Sequence, residues 1–192
     1  MEHLVELDQE LFLFLNNLGS TPWDPFWNFV TNKLSSIPFY ALLLFLMFKS
    51  LGPKKAFLTL LFVAALIAST DQLANLFKHG IERPRPCRQE GVMEMARFVA
   101  VRCGSFGYFS AHAASSAAVL VFIGSILRKF WKGIVPVLVI WALLVSYSRI
   151  YVGVHYPGDI LTGWFFGIVL AILYYKLYKW VFKKYFPSTP SF

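Results

Sequence analysis

Apolar positions recur at helical spacing from the start of the chain. Leu4, Val5, Leu7, Leu11, Phe12, Leu15 and Leu18 alternate with Glu6, Asp8, Gln9 and Glu10. That pattern predicts an amphipathic helix over residues 4–18, lying on a membrane surface. Thr21-Pro22-Trp23-Asp24-Pro25 breaks it, and Trp23 and Trp27 suit the membrane–water interface. Longer apolar runs follow, predicting spans at about 27–48, 56–77, 111–127, 133–148 and 159–181. The third and fourth runs are short for a bilayer, so their ends are expected to include polar neighbours. Pro38 and Pro136 fall near span ends, where a missing backbone donor costs least. The fold expected is an all-α integral membrane protein. About five transmembrane helices form an antiparallel bundle, with the N-terminal helix at the interface, in one membrane domain over 1–192.

Composition agrees. Of 192 residues, 57% are hydrophobic and only 15% are charged, against roughly 25% in soluble domains. The net charge of +8 invites a nucleic-acid reading, but its distribution points elsewhere. The connections at 49–55 and 128–133 and the tail from 176 carry Lys49, Lys54, Lys55, Arg128, Lys129, Lys132, Lys176, Lys179, Lys183 and Lys184, and no carboxylate. The positive-inside rule puts these in the cytoplasm, and the N-terminal helix, loop 78–110 and loop 148–158 outside. The expectation is a bacterial inner-membrane protein with a cytoplasmic C-terminus and no nucleic-acid partner. Residues 1–20 begin acidic and show no evident cleavable signal.

Three polar segments interrupt the apolar pattern, all on the expected outer side: Lys78 to Pro86, Phe109-Ser110-Ala111-His112, and Ser148 to Asp159. Ionisable groups beside membrane spans are costly, which marks them as a site hypothesis. His155 and Asp159 are four apart around Pro157-Gly158. Asp159 accepting from one ring nitrogen would leave the other as an oriented nucleophile; a plain helix cap at Asp159 is the alternative. Ser110 reads as an N-cap, and the helix start behind it as an anion site. His112 in that first turn is a candidate general acid, or an incidental histidine. Lys78, Arg85 and Arg149 are candidate phosphate clamps, arginine offering a two-pronged fork. Arg83 and Ser148 are possible auxiliaries, and head-group contacts are the alternative for the basic set.

No acidic cluster or zinc-type spacing predicts a metal or other cofactor. Cys87 and Cys103, on the outer side, are candidates for a disulfide, with two free thiols as the alternative.

Together the segments resemble the membrane-bound type-2 phosphatidic acid phosphatase family, which shares its site with vanadium haloperoxidases. Lys78, six residues, Arg85-Pro86 match the first family element; Ser148-Arg149, five residues, His155, three residues, Asp159 match the third. The second, Pro-Ser-Gly-His in the family, is Phe109-Ser110-Ala111-His112 here. The likeness covers about residues 56–175. It implies a metal-free phosphatase with a phosphohistidine on His155, Asp159 orienting it and His112 protonating the leaving oxygen. Lys78, Arg85, Ser110 and Arg149, with the backbone at Ala111, would bind the phosphoryl oxygens.

The implied substrates are lipid phosphates and diphosphates. Undecaprenyl diphosphate is the first expectation. Phosphatidylglycerol phosphate, phosphatidic acid and lipid A phosphates are alternatives. From other classes, a lipid flippase and a vanadate-dependent haloperoxidase would use the same basic cavity. Nothing in the sequence indicates a protein partner.

Overall fold

A computed structural model describes residues 2–187. Among these there are seven α-helices, α1 (Glu2–Asn17), α2 (Asp24–Thr31), α3 (Ile37–Leu51), α4 (Pro53–Ile81), α5 (Ala111–Leu127), α6 (Ile134–Tyr151) and α7 (Pro157–Tyr185), and no strand. Leu34–Leu51, Pro53–Ile81, Ile134–Tyr151 and Pro157–Tyr185 are each long and apolar enough to cross a membrane. α5 has 17 residues, at the lower limit for crossing. Large side chains such as Phe45, Phe57, Ile140, Leu161 and Phe165 are exposed around the bundle, as a lipid-facing surface requires.

α5 is the axis. Ala113, Ala114, Ser116, Ala117, Ala118, Val119, Phe122 and Ile123 are all buried on it, and α4, α6 and α7 pack around it. Small residues bring α7 close. A methyl added at Gly163 would stand 2.7 Å from the Ser110 carbonyl oxygen, and one at Gly167 would collide with the Ala114 carbonyl. Such small-residue contacts are how helices approach closely where lipid offers no hydrophobic drive. They also set the start of α5 against the start of α7, where the Ser110 N–H donates to the Asp159 carbonyl at 3.0 Å.

Several boundaries differ from the sequence expectation. The run at 27–48 is two helices, not one. The Asn32 side chain accepts the Leu34 N–H at 2.9 Å, a local turn that competes with helix, and Pro38 opens the first turn of α3. α4 and α7 have 29 residues each, some 43 Å at 1.5 Å per residue. That exceeds the roughly 30 Å hydrocarbon core, so their ends carry polar residues clear of it. α6 reaches Tyr151, which puts Ser148 and Arg149 on a helix rather than in a loop.

The basic connections share one end of the bundle. Trp131 Nε1 donates to Ser50 Oγ at 2.9 Å, Lys49 lies over the Trp131 ring, and Lys55 over Phe182. The three polar segments meet at the opposite end.

Candidate active site

Asp159 is completely buried and His155 is 2% exposed. Pro157 starts α7, and Asp159 in its first turn accepts the Tyr156 N–H at Oδ2, 3.0 Å away. The same oxygen lies 3.2 Å from His155 Nδ1. The two readings of Asp159 from sequence, helix cap and histidine partner, therefore hold together in one carboxylate. Its other oxygen accepts from Arg83 Nη1 at 3.1 Å. With Nδ1 facing Asp159, the tautomer this network favours places the lone pair on His155 Nε2. Burial, then the charges of Arg85, Arg149 and Lys78, hold His155 well below its ordinary range.

α4 ends with Glu82 in the left-handed region at φ 52°, and its N–H closes on the Lys78 carbonyl. The chain then turns into Arg83-Pro84-Arg85-Pro86. This segment pairs with residues 105–107. Gly107 N–H donates to the Arg83 carbonyl at 2.9 Å, Arg85 N–H to the Ser105 carbonyl at 3.3 Å, and Arg85 Nε to the Phe106 carbonyl at 3.0 Å. Gly107 fits because it has no side chain: a Cβ there would lie 3.1 Å from Arg85 Cγ and 3.4 Å from Asp159 Oδ2. Cys87 and Cys103 are joined, which ties the far part of this loop to Arg85.

Ser110 caps α5, its side chain accepting the Ala113 N–H at 3.4 Å. Ala111 and His112 form the first turn of α5 behind it. His112 lies within electrostatic range of His155, Arg149, Lys78 and Lys33. Lys78, on the last turn of α4, lies within range of Arg85 and Arg149. Arg149 reaches across from α6, and Nη1 donates to Thr31 Oγ1. Five buried side-chain atoms among the described residues have no hydrogen-bond partner, Arg97 Nη1, Trp141 Nε1, Tyr156 Oη, His112 Nε2 and Arg149 Nε, and the last two belong to the candidate phosphate-handling residues. Buried polar atoms are normally satisfied, so a pair of unbonded ones beside cations fits an anionic substrate group.

Of the two auxiliaries, Ser148 spends its hydroxyl donor within α6. It is buried and donates to the Val145 carbonyl at 2.7 Å. Arg83 joins the site, but through Asp159 rather than as a clamp. Lys33, Thr31, Gly107 and Asp8 reach the site or its supports without having been picked out from the sequence. Among the described residues, no group of three or more His, Cys, Asp or Glu side chains gathers as a metal site.

Residues 56–183 match the model of the PAP2 superfamily. A lipid A 4'-phosphatase of Bacteroides thetaiotaomicron is 34% identical over 178 residues, covering 91% of this chain and 78% of that protein. An undecaprenyl-diphosphatase of Sulfolobus acidocaldarius is 40% identical over 70 residues, which is 35% of this chain and 32% of the other. The fold matches the crystal structure of a transmembrane PAP2-type phosphatidylglycerolphosphate phosphatase from Bacillus subtilis with a TM-score of 0.72, at 21% identity, covering 92% of this chain and 87% of that one. The chain belongs to the PAP2 superfamily and is a multi-pass membrane phosphatase.

Proposed function

We propose that this enzyme removes a phosphate monoester from a sugar-based membrane lipid of the lipid A type, at the outward face of a bacterial inner membrane. The observation that carries the chemistry is the buried His155 held by Asp159 opposite the unbonded His112 Nε2 and Arg149 Nε. In this reading His155 Nε2 attacks phosphorus, an N–P bond forms and the P–O bond to the lipid breaks. The leaving oxygen takes a proton from His112. Water then attacks the phosphohistidine, gives its proton to His112 and releases orthophosphate. Lys78, Arg85 and Arg149, with the Ser110-capped start of α5, hold the equatorial oxygens where charge is spread in the transition state. A bound phosphate dianion favours the protonated His112 the first step needs. No step calls for a metal.

The choice of lipid departs from the first expectation. The relative named for undecaprenyl diphosphate overlaps about a third of the chain, whereas the one named for lipid A overlaps nearly all of it. The surroundings of His112 support a polar headgroup on the leaving side. A cavity of about 190 Å³ beside it sets Lys33, Asp71, Tyr40 and Ser115 among the apolar Val30, Ile67, Ala111 and Val145, so that a few polar groups are placed to pair with hydroxyls and amides. A further cavity of about 480 Å³ among α3, α4 and α5 is lined by Leu43, Leu44, Val63 and Ile123, and shares Tyr40 and Ile67 with the first. Headgroup and acyl chain would occupy the two in continuity.

The test is phosphate release with chelator present, from lipid A bearing a 4'-phosphate, undecaprenyl phosphate and diphosphate, phosphatidylglycerol phosphate and phosphatidic acid. The highest kcat/KM is expected on the lipid A substrate. A higher value on the undecaprenyl diphosphate would overturn the choice of lipid, and loss of all release in chelator the metal-free chemistry.

A further inference from the structure

α1 lies outside the segment that matches the family, yet it grips both ends of the stretch that carries His155. At the far end of that stretch, Asp8 Oδ1 accepts the Gly158 N–H at 2.7 Å. Asp8 Oδ2 accepts from Arg83 Nη2 at 2.7 Å, while Nη1 of the same guanidinium donates to Asp159. Arg83 stacks over the Tyr156 ring, 4.0 Å from its centroid. The approach depends on Gly158, where a Cβ would stand 2.7 Å from Asp8 Oδ2. At the near end Asn16, fully buried, brings its amide nitrogen within 3.0 Å of the Ile150 and Tyr151 carbonyls, and Oδ1 accepts the Arg97 N–H at 2.7 Å. Phe12 is buried against Tyr156. The opposite side of α1 presents Leu4, Leu7, Leu11 and Phe14, with Leu18 just beyond its end, all exposed and spaced three or four apart, the stripe that seats a helix in a membrane surface.

We infer that α1 is a brace for the nucleophile, with Asp8 and Arg83 as positioning residues that set the orientation and basicity of His155 through Asp159. The inference rests on the phosphatase reading of His155. Arg83 is shared between two carboxylates. Asp8 draws part of its charge away from Asp159, leaving Asp159 a stronger acceptor for the His155 ring. The groups that face His155 are Asp159 from α7, Arg149 from α6, Lys78 from α4, His112 from α5 and Arg85 from the loop. Lys78, Arg85 and Arg149 are cations, and Asp159 is the single anion among these groups that supports the ring's basicity, beside a hydrogen bond with the Gly107 backbone. Partners that orient a reacting histidine from behind typically matter by about 10- to 100-fold.

The two substitutions are expected to act oppositely on pH dependence. Asp8→Asn leaves Arg83 uncompensated beside Asp159, making His155 less basic and moving the acidic limb of kcat/KM to lower pH. Arg83→Gln frees Asp159 of its cation and moves that limb to higher pH. Both are expected to lower kcat about 10-fold or more. They are measured on whichever lipid phosphate of the panel the wild type turns over fastest, with His155→Ala as the background. A merely structural role predicts lost amplitude with both limbs unmoved, or moved the same way, and either result overturns the inference. Hydrogen exchange in nanodiscs supplies a readout without catalysis: the Gly158 amide is expected to exchange at least about tenfold faster in Asp8→Ala. Unchanged exchange there refutes the brace. Absence of phosphate release from wild type would sink the phosphatase reading instead, and the Gly158 amide then decides alone whether α1 holds this loop.

Discussion

Asp159 and Arg149 meet at the same end of the bundle, one saturated and the other not. Asp159 accepts from His155, Arg83 and the Tyr156 N–H, and its carbonyl accepts the Ser110 N–H. Arg149 is tied to Thr31 by one nitrogen, while its Nε, like Nε2 of His112, has no partner among the described residues. Behind the proposed nucleophile, the Asp159 carboxylate has its acceptors filled by the protein itself. The side proposed to receive phosphate and leaving group keeps His112 Nε2 and Arg149 Nε in reserve. Preorganisation lowers the barrier only where groups are already aimed at developing charge, and binding needs groups not already spent on the protein. The division separates positioning from binding within one site.

The largest break is expected at the proposed nucleophile. His155→Ala should lower kcat by about 10⁴-fold or more, since no group near it can replace a covalent partner. Phosphate trapping on the protein, read by acid-labile radiolabel, should disappear with it. Retained turnover would place the nucleophile elsewhere. His112→Asn comes next, at about 10²- to 10⁴-fold on a lipid alkoxide leaving group. The loss should shrink on an aryl phosphate, whose leaving oxygen needs no proton. An equal loss on both substrates would make His112 a binding group rather than the acid.

The pH profile sharpens the same contrast. Burial and the surrounding cations depress the basicity of His155, so the free ring stays unprotonated through neutrality. Activity is then lost only as pH falls through that depressed value, and the acidic limb of kcat/KM should lie below 6.5. A limb at or above 6.5 would mean a ring exposed to water.

On the receiving side, Asp71→Ala tests the cavity next to His112. It should lower kcat/KM on a hydroxyl-rich sugar lipid by about tenfold, the order of one hydrogen bond to a charged group. Phosphatidic acid, whose glycerol offers no free hydroxyl, should lose much less. Equal losses on both would remove Asp71 from headgroup recognition.

How much of this could be read along the chain follows from the reach of each interaction. His155 and Asp159 are four residues apart and Ser110 caps its own helix, so their spacing announces their geometry. Lys78 and Arg85 flank a single helix end in the same way. Arg83 and Asp8 meet across 75 residues, and Asn16 reaches Arg97 across 81; no periodicity records such pairings. The acidic residues of α1 look like a solvated face, and only the fold shows that Asp8 turns inward. The break at Asn32–Pro38 was signalled by an Asn turn and a proline, but an apolar run on both sides masked it. Ser148 runs the other way. It lies in a matching motif, yet helix α6 extends far enough to enclose it, and its hydroxyl is consumed by the turn below.

Ala111 carries the smallest expected effect and the finest test of the contrast. It stands where the family pattern has glycine, at the first turn of α5 and on the wall of the cavity beside His112. Ala111 is not among the residues with positive φ, so an L side chain sits there without strain, and the conformational reason for glycine is absent. What remains is space. If the receiving side has room in reserve, the methyl is tolerated, and Ala111→Gly should change kcat by less than about threefold while costing roughly 0.5–1 kcal/mol of stability for the more flexible backbone. Thermal unfolding in detergent and turnover on the best lipid read the two separately. A rise in kcat of tenfold or more, about 1.4 kcal/mol of barrier, would show instead that the methyl crowds the phosphoryl group, and that the receiving side is as tightly filled as the side that holds His155.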